Sequence, residues 1–128
     1  MKKYNTQSFE VILYENDIVE TKVRKDWNEP DTVETITEHA LLIKKVIDGK
    51  QRGLLAVLPG FHMKKNLLEI YDQTEMGEIA VALLVNSFTA KILGNMVLRV
   101  KKTTSPARIF TDRAAAEAWL LKNIATQE

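Results

Sequence analysis

Two uninterrupted apolar runs constrain the fold of this chain more than any other feature. They are "GLLAVL" at residues 53–58 and "IAVALLV" at residues 79–85, and neither alternates apolar with polar residues. A strand without such alternation is covered on both faces, which is typical of the central strands of parallel sheets. An amphipathic segment follows each run, so the sequence predicts strands and helices that alternate in an α/β layer fold.

A β-hairpin is predicted near the start of the chain. Residues 9–14 and 18–23 are rich in β-branched and aromatic side chains, and the segment Glu15-Asn16-Asp17 between them tolerates turn conformations. We expect this hairpin at an edge of the sheet, where its charged residues would protect unpaired backbone groups from pairing with another chain.

The first predicted helix spans residues 31–48. Asp31 is expected to cap it, and Glu34 completes a capping-box-like pair three residues later. Gly49 is expected to end the helix in a left-handed conformation. His39 is expected to face solvent or to lie at the boundary of the core. The apolar stripe recurs at three- and four-residue steps and consists of Val33, Ile36, Ala40, Ile43 and Ile47.

Three further helices and a short strand complete the element order. The helices are predicted over residues 63–72, over residues 88–100 and after a cap at Thr111 or Asp112, where Ala115 and Ala116 would face inward. The strand is predicted over residues 107–110. The order β-β-α-β-α-β-α-β-α predicts an α/β fold with a mixed, mostly parallel sheet, an N-terminal β-hairpin and four helices, in a single domain over residues 1–128.

Composition argues against several classes of function. The chain has no cysteine, which excludes disulfides, thiolate metal sites and cysteine nucleophiles. Its net charge of +1 gives no overall attraction for nucleic acid, and no exposed aromatic residues interleave its basic cluster. No apolar run approaches the ~20 residues of a membrane span, and the start lacks the apolar region of a signal peptide. We therefore expect a cytoplasmic protein that has no membrane span and does not bind nucleic acid.

Ser87 stands between a buried strand and an amphipathic helix, where α/β-hydrolases carry a nucleophilic serine. Their strained turn needs glycine two residues to either side, but Val85 and Thr89 occupy those positions. Activation also needs a histidine held by a carboxylate, and the chain offers only His39, inside a helix, and His62, in a loop. Ser87 is therefore predicted to be an N-cap. No catalytic residue is predicted, and the protein is expected not to be an enzyme.

No metal site or cofactor is predicted either. His62 has no histidine, cysteine or carboxylate at ligand spacing, whereas a metal site needs three or four converging ligands.

The strand ends nevertheless mark a place for a small anionic ligand. In open α/β sheets, ligands bind at the carboxyl ends of strands, where helix N-termini offer free N–H groups. The predicted rim of this site consists of Gly60, His62, Asn86, Ser87 and Thr111.

An apolar site between helix and sheet is a second location for a ligand. Methionine and aromatic residues at helical spacing are also typical of an ordinary core, and we expect the core. The side chains concerned are Phe61, Met63, Leu67, Met96 and Trp119.

The third predicted helix carries an apolar stripe wider than a small sheet usually covers. A two-fold dimer is the usual form of a soluble homo-oligomer, so we expect a homodimer through this helix. Its basic end would meet the acidic residues 29–38 of a second copy. The predicted interface residues are Phe88, Ile92, Met96, Val97 and Arg99.

The second half of the chain resembles a known superfamily. The strand "VALLVNS", the helix "AKILGNMVLRV" and the ending "PARIFTDRAAAEAWL" are similar to the SpoIIAA-like branch of the STAS superfamily, and more narrowly to a small bacterial family of that branch. The resemblance covers about residues 79–121. It implies one SpoIIAA-like domain, with helices packed on a mixed sheet of four to five strands, and no enzymatic activity.

The resemblance also implies a function. Phosphorylatable members of the superfamily carry an Asp-Ser pair at the start of the helix after the central strand, but the matching segment here, "LPGFHMKKN", contains no serine or threonine. The expected function is thus a non-enzymatic interaction module that binds a protein partner or itself without a phosphorylation switch. The alternative is a protein that binds an apolar or anionic small molecule between its helices and sheet.

Overall fold

The computed structural model describes residues 1–126 and contains six strands and four helices. The predicted domain extends to residues 127–128, which lie outside this described part. The strands are β1 (Lys2–Asn5), β2 (Phe9–Leu13), β3 (Ile18–Val23), β4 (Gly53–Val57), β5 (Val81–Leu84) and β6 (Ala107–Phe110). The helices are α1 (Val33–Ile47), α2 (Lys65–Thr74), α3 (Phe88–Val100) and α4 (Arg113–Thr126).

The strands form one mixed sheet in the order β1-β2-β3-β4-β5-β6. β1, β2 and β3 pair antiparallel, whereas β3, β4, β5 and β6 pair parallel. The predicted α/β class, the mixed sheet, the β2–β3 hairpin and the four helices are therefore confirmed.

The parallel strands follow each other in chain order, and this places three helices on one face. Crossovers between parallel strands are almost always right-handed, so α1, α2 and α3 return along the same side of the sheet. Side chains of β4 show the two faces. Leu54 packs in a cluster with Ile43 of α1, which Val97 of α3 also contacts. Leu55 points the other way and packs with Leu120 of α4. We call these the three-helix face and the α4 face.

β1 is the strand that the sequence prediction missed. Its sequence, "KKYN", has one apolar side chain, and an exposed edge strand has no need of apolar alternation. β1 pairs with β2, from Lys2 opposite Leu13 to Asn5 opposite Glu10. The β2–β3 hairpin consequently lies inside the sheet and not at its edge, so the edge prediction was wrong.

The N-cap of α1 lies one residue later than predicted. Thr32 is the N-cap, and its hydroxyl accepts a hydrogen bond from the N–H of Thr35, while the Thr35 hydroxyl accepts one from the N–H of Thr32. The predicted pair of Asp31 and Glu34 is therefore wrong. Both pairs fit the capping pattern, and the buried position of Thr35 selects the second. Val33, assigned to the apolar stripe, is 56% exposed.

The start of α2 also differs from the prediction, whereas the cap of α4 is one of the two predicted residues. α2 begins at Lys65, two residues later than predicted, and ends at Thr74. Asp112 caps α4, since its carboxylate accepts a hydrogen bond from the N–H of Ala115 at 3.1 Å. Ala115 is exposed, contrary to prediction, because the buried stripe of α4 begins one residue later at Ala116.

A buried carboxylate joins β3 to α4 on the α4 face. The side chain of Glu20 is 2% exposed and forms an ion pair with both terminal nitrogens of Arg113. The Tyr14 hydroxyl donates a hydrogen bond to Glu20 Oε1 at 2.7 Å. Burial alone would raise the pKa of Glu20, but the hydrogen bonds from Arg113 and Tyr14 outweigh it and hold the pKa below its usual value. The carboxylate is therefore ionised at neutral pH.

We expect Arg113→Met to lower the free energy of unfolding by about 2 kcal/mol, because Glu20 would remain buried without its counter-ion. Breaking a fully buried pair costs more, but the Arg113 side chain is 44% exposed and water can partly replace it. Urea unfolding at pH 7 measures the change. Arg99→Met, at an exposed position of α3, is the control and should change stability by less than about 0.5 kcal/mol. A loss no larger than that of the control would contradict the role of this ion pair.

Candidate functional site

A cavity of about 480 Å³ lies between the three-helix face of the sheet and helices α1, α2 and α3. Its volume is in the usual range of small-molecule sites, about 300–1,000 Å³. The lining is mostly apolar. Its floor includes Leu54, Ala56, Val81 and Leu83, and its walls include Ile43, Leu68, Leu93, Val97 and Val100.

The position of α2 opens this cavity. α2 packs against α1 and α3, whereas α1, α3 and α4 each also pack against strands of the sheet. The middle helix of the row therefore stands away from the floor formed by β4 and β5.

The lining of the cavity follows β4 along its length and extends across neighbouring strands. It extends from Pro59, just beyond the carboxyl end of β4, to Gly77 and Glu78, which precede β5. The five residue steps from Leu54 to Pro59 alone correspond to ~16 Å of extended chain.

His39 is buried at one end of the cavity and is 3% exposed. Its Nε2 lies 2.5 Å from Thr21 Oγ1, and its Nδ1 lies 2.6 Å from the Tyr71 hydroxyl. Its ring stacks on Phe9 with centroids 3.6 Å apart, and the Tyr71 ring meets it edge-on. Side chains from β2, β3 and α2 thus hold this residue of α1 in place.

The sequence prediction that His39 faces solvent or the boundary of the core was wrong. His39 lies three residues after Ile36 and four before Ile43, which places it on the same helical face as both. That periodicity was the signal in the sequence. The expectation relied instead on the charged neighbour Glu38, which is exposed.

The polar groups at this end of the cavity are uncharged at neutral pH. Burial lowers the pKa of His39 to about 3. Burial also raises the pKa of the Tyr71 hydroxyl, with a further contribution from the charge of Asp31. Thr21, His39 and Tyr71 therefore form a neutral hydrogen-bonded chain, which we call the His39 cluster.

The segment between α3 and β6 borders the other end of the cavity. Lys101 Nζ donates hydrogen bonds to the backbone oxygens of Thr103 and Ser105, at 2.8 and 2.5 Å. Asp72 of α2 accepts one from the N–H of Thr103 at 3.1 Å. Ser105 Oγ donates to Glu78 Oε1 at 3.3 Å, and burial raises the pKa of the Glu78 carboxyl. The cation that borders the cavity is thus already bonded to this segment.

The predicted ligand rim lies outside the cavity. Ser87 is the N-cap of α3, as predicted, and its hydroxyl accepts a hydrogen bond from the N–H of Ala90 at 3.1 Å. Gly60 lies close to it, because a Cβ on Gly60 would be 3.4 Å from Ser87 Oγ. The other predicted rim residues are exposed and are His62, Asn86 and Thr111.

The predicted interface residues of α3 divide between surface and core. Phe88 is 79% exposed and Ile92 is 45% exposed, and Arg99 is exposed as well. Met96 and Val97 are half-buried against the core, and Val97 lines the cavity. The exposed apolar part of the stripe is therefore its first turn.

Of the side chains considered for an apolar site, Met63 borders the cavity. Trp119 lies on the α4 face beside Phe110, and Phe61 is 41% exposed. The remaining two, Leu67 and Met96, pack among the core residues of α2 and α3.

Two further features are absent from residues 1–126. No three His, Cys, Asp or Glu side chains in this range are grouped as metal ligands would be. Within the same residues, no helix has the length and apolar character needed to cross a membrane.

Comparison with known protein families gives a match in the second half of the chain. The family described as "Domain of unknown function (DUF7793)" matches residues 62–124, from the loop before α2 into the last turns of α4. Neither the curated proteins nor the solved structures give a significant match to the chain.

These comparisons overturn the resemblance to SpoIIAA-like proteins of the STAS superfamily, because none of them points to that superfamily. The residues that suggested it form two strands, each followed by a capped helix. Any parallel α/β unit needs this pattern, so it does not identify a family.

The titration of His39 tests the buried site. In a His62→Asn variant, which leaves His39 as the only histidine, we expect its ring resonances to stay constant from pH 7.5 to pH 5. Since the pKa is lower in the folded than in the unfolded state, the unfolded state takes up the proton first. Stability should therefore fall as the pH drops below about 6.5, the usual histidine value. A titration midpoint near that value in the folded protein would show that His39 is not buried.

Proposed function

We propose that this protein binds a small, largely apolar molecule in the cavity beneath α2 and α3, and that it acts by binding and not by catalysis. The observation that carries the proposal is the cavity itself, with its apolar lining and its neutral polar cluster at one end. Such a combination of apolar walls and a few placed polar groups is typical of sites for small molecules.

The pKa and the hydrogen bonds of His39 favour binding over catalysis. A general base works best with a pKa near the operating pH, whereas the pKa of His39 is about 3. Both ring nitrogens of His39 are also occupied, by Thr21 and Tyr71. This residue is suited to fix a ligand's orientation and not to transfer its protons.

A fluorescence titration with N-phenyl-1-naphthylamine, a neutral apolar dye, tests the proposal. The wild type should bind the dye and enhance its emission. Ala56→Phe places a ring on the floor of the cavity and should weaken binding by at least about tenfold, since apolar affinity follows the area buried. Ala115→Phe, on the exposed side of α4, is the control and should bind as the wild type does.

Circular dichroism should show that both variants are folded. If the wild type does not bind the dye, or if Ala56→Phe binds it equally well, the cavity is not a ligand site.

A second candidate function is self-association through the start of α3. Phe88 and Ile92 are both exposed and are four residues apart, so they lie on the same side of the helix. Phe61 is also exposed and follows Gly60, which lies next to the Ser87 cap. Apolar side chains grouped on a surface often mark a protein interface. A second copy of the chain is the partner that we propose.

Sedimentation at tens of micromolar tests this candidate. The wild type should sediment as a dimer, and the double variant Phe88→Ser/Ile92→Ser as a folded monomer, because its apolar contact is lost. Leu41→Ser, at another exposed apolar position on α1, should leave the dimer unchanged. A monomeric wild type would rule out self-association at this surface.

A further inference from the structure

The His39 cluster holds one more hydrogen atom than its internal contacts use. A neutral imidazole carries one N–H, and each hydroxyl carries one O–H, which makes three hydrogens. The cluster has two contacts, from His39 to Thr21 and to Tyr71, and each uses one hydrogen. One hydroxyl hydrogen is therefore left over.

Either tautomer of His39 leaves this hydrogen on a hydroxyl. If Nδ1 is protonated, it donates to Tyr71 while Thr21 donates to Nε2, and the spare hydrogen is on Tyr71. If Nε2 is protonated, it donates to Thr21 while Tyr71 donates to Nδ1, and the spare hydrogen is on Thr21.

The spare hydrogen has no acceptor of its own within residues 1–126. Neither hydroxyl forms a hydrogen bond there other than the one to His39, and all three residues of the cluster border the cavity. A buried donor without an acceptor is costly, so an acceptor atom placed in the cavity would be favoured. The cluster therefore favours a ligand that carries an oxygen or nitrogen acceptor.

The charges around the cluster favour an acceptor without charge. Asp31 already places a negative charge close enough to Tyr71 to act on its hydroxyl. Lys101, the cation that borders the cavity, is bonded to the segment at the opposite end. A carboxylate at the His39 cluster would thus lose its hydration without gaining a counter-ion.

We infer that the ligand is an uncharged, largely apolar molecule whose carbonyl oxygen, as in a ketone or an ester, accepts the spare hydroxyl hydrogen of the His39 cluster. Its hydrocarbon part then lies along the apolar floor of β4 and β5. This inference rests on the proposed function and adds the chemical class of the ligand.

Displacement of bound N-phenyl-1-naphthylamine by 2-decanone and by decanoate tests the inference at pH 7.5. The ketone should displace the dye at a concentration at least tenfold lower than decanoate does. The ketone is also less soluble in water than decanoate, and this alone favours its binding. The decisive quantity is therefore how much the ratio of the two displacing concentrations changes between the wild type and a variant.

The double variant Thr21→Val/Tyr71→Phe keeps the shapes of both side chains and removes both hydroxyls. It should weaken ketone binding about three- to tenfold relative to dye binding, the effect of one hydrogen bond, with the affinity of each variant for the dye measured by direct titration. Tyr4→Phe, on the edge strand and outside the cavity lining, is the control and should change neither.

Infrared spectroscopy of the wild type supplies a test that needs no variant. The carbonyl stretch of 2-decanone should move to lower frequency on binding, because a donated hydrogen bond weakens the C=O bond. If the dye binds but the stretch does not move, or if the double variant keeps the full preference for the ketone, this inference is overturned and the binding function stands. If the dye does not bind at all, the proposed function fails and the inference fails with it.

Discussion

The right-handed crossover connections between parallel strands determine most of this structure. Because β3, β4, β5 and β6 are neighbours in chain order, right-handed crossovers place α1, α2 and α3 in a row on one face. The outer helices of the row reach down to strands of the sheet, while α2 packs on its two neighbours. The cavity lies under this middle helix, so it is a consequence of topology more than of any single side chain.

On the α4 face, by contrast, a helix packs closely on the sheet. Small residues let α4 approach the sheet, and they include Ala82, Ala116 and Gly53. A Cβ on Gly53 would lie only 3.1 Å from Leu120 Cδ2. Together with the ion pair between Glu20 and Arg113, this packing joins α4 to the sheet. The other side of the same sheet forms the floor of the cavity.

The His39 cluster reconciles burial with polarity at the end of that cavity. Burying a histidine is unfavourable for the charged ring, so the ring is neutral and both of its nitrogens are hydrogen-bonded. The same contacts fix its position, because Thr21 lies on β3 and Tyr71 on α2. A polar group held this rigidly can orient a ligand without paying to order itself first.

Local patterns in the sequence determined the elements of this protein other than β1. Continuous apolar runs identified β4 and β5 as interior strands, and a hydroxyl before an apolar stripe identified Ser87 as a cap. Such signals extend over only a few residues, so they can be recognised in the sequence without the tertiary structure. The error at the start of α1 was one residue, since two capping pairs compete there and only burial of Thr35 decides between them.

Tertiary structure alone decided the edge strand, the place of His39 in a polar cluster and the cavity. β1 has almost no apolar pattern and exists because β2 offers it a free edge. His39 meets partners 18 and 32 residues away, and no local pattern specifies which hydroxyls will face it. The cavity depends on how far α2 stands from the sheet, which is set by the packing of α2 against α1 and α3. Periodicity in the sequence indicates which side of a helix is apolar. The distance between that side and the sheet depends on the packing of the whole fold.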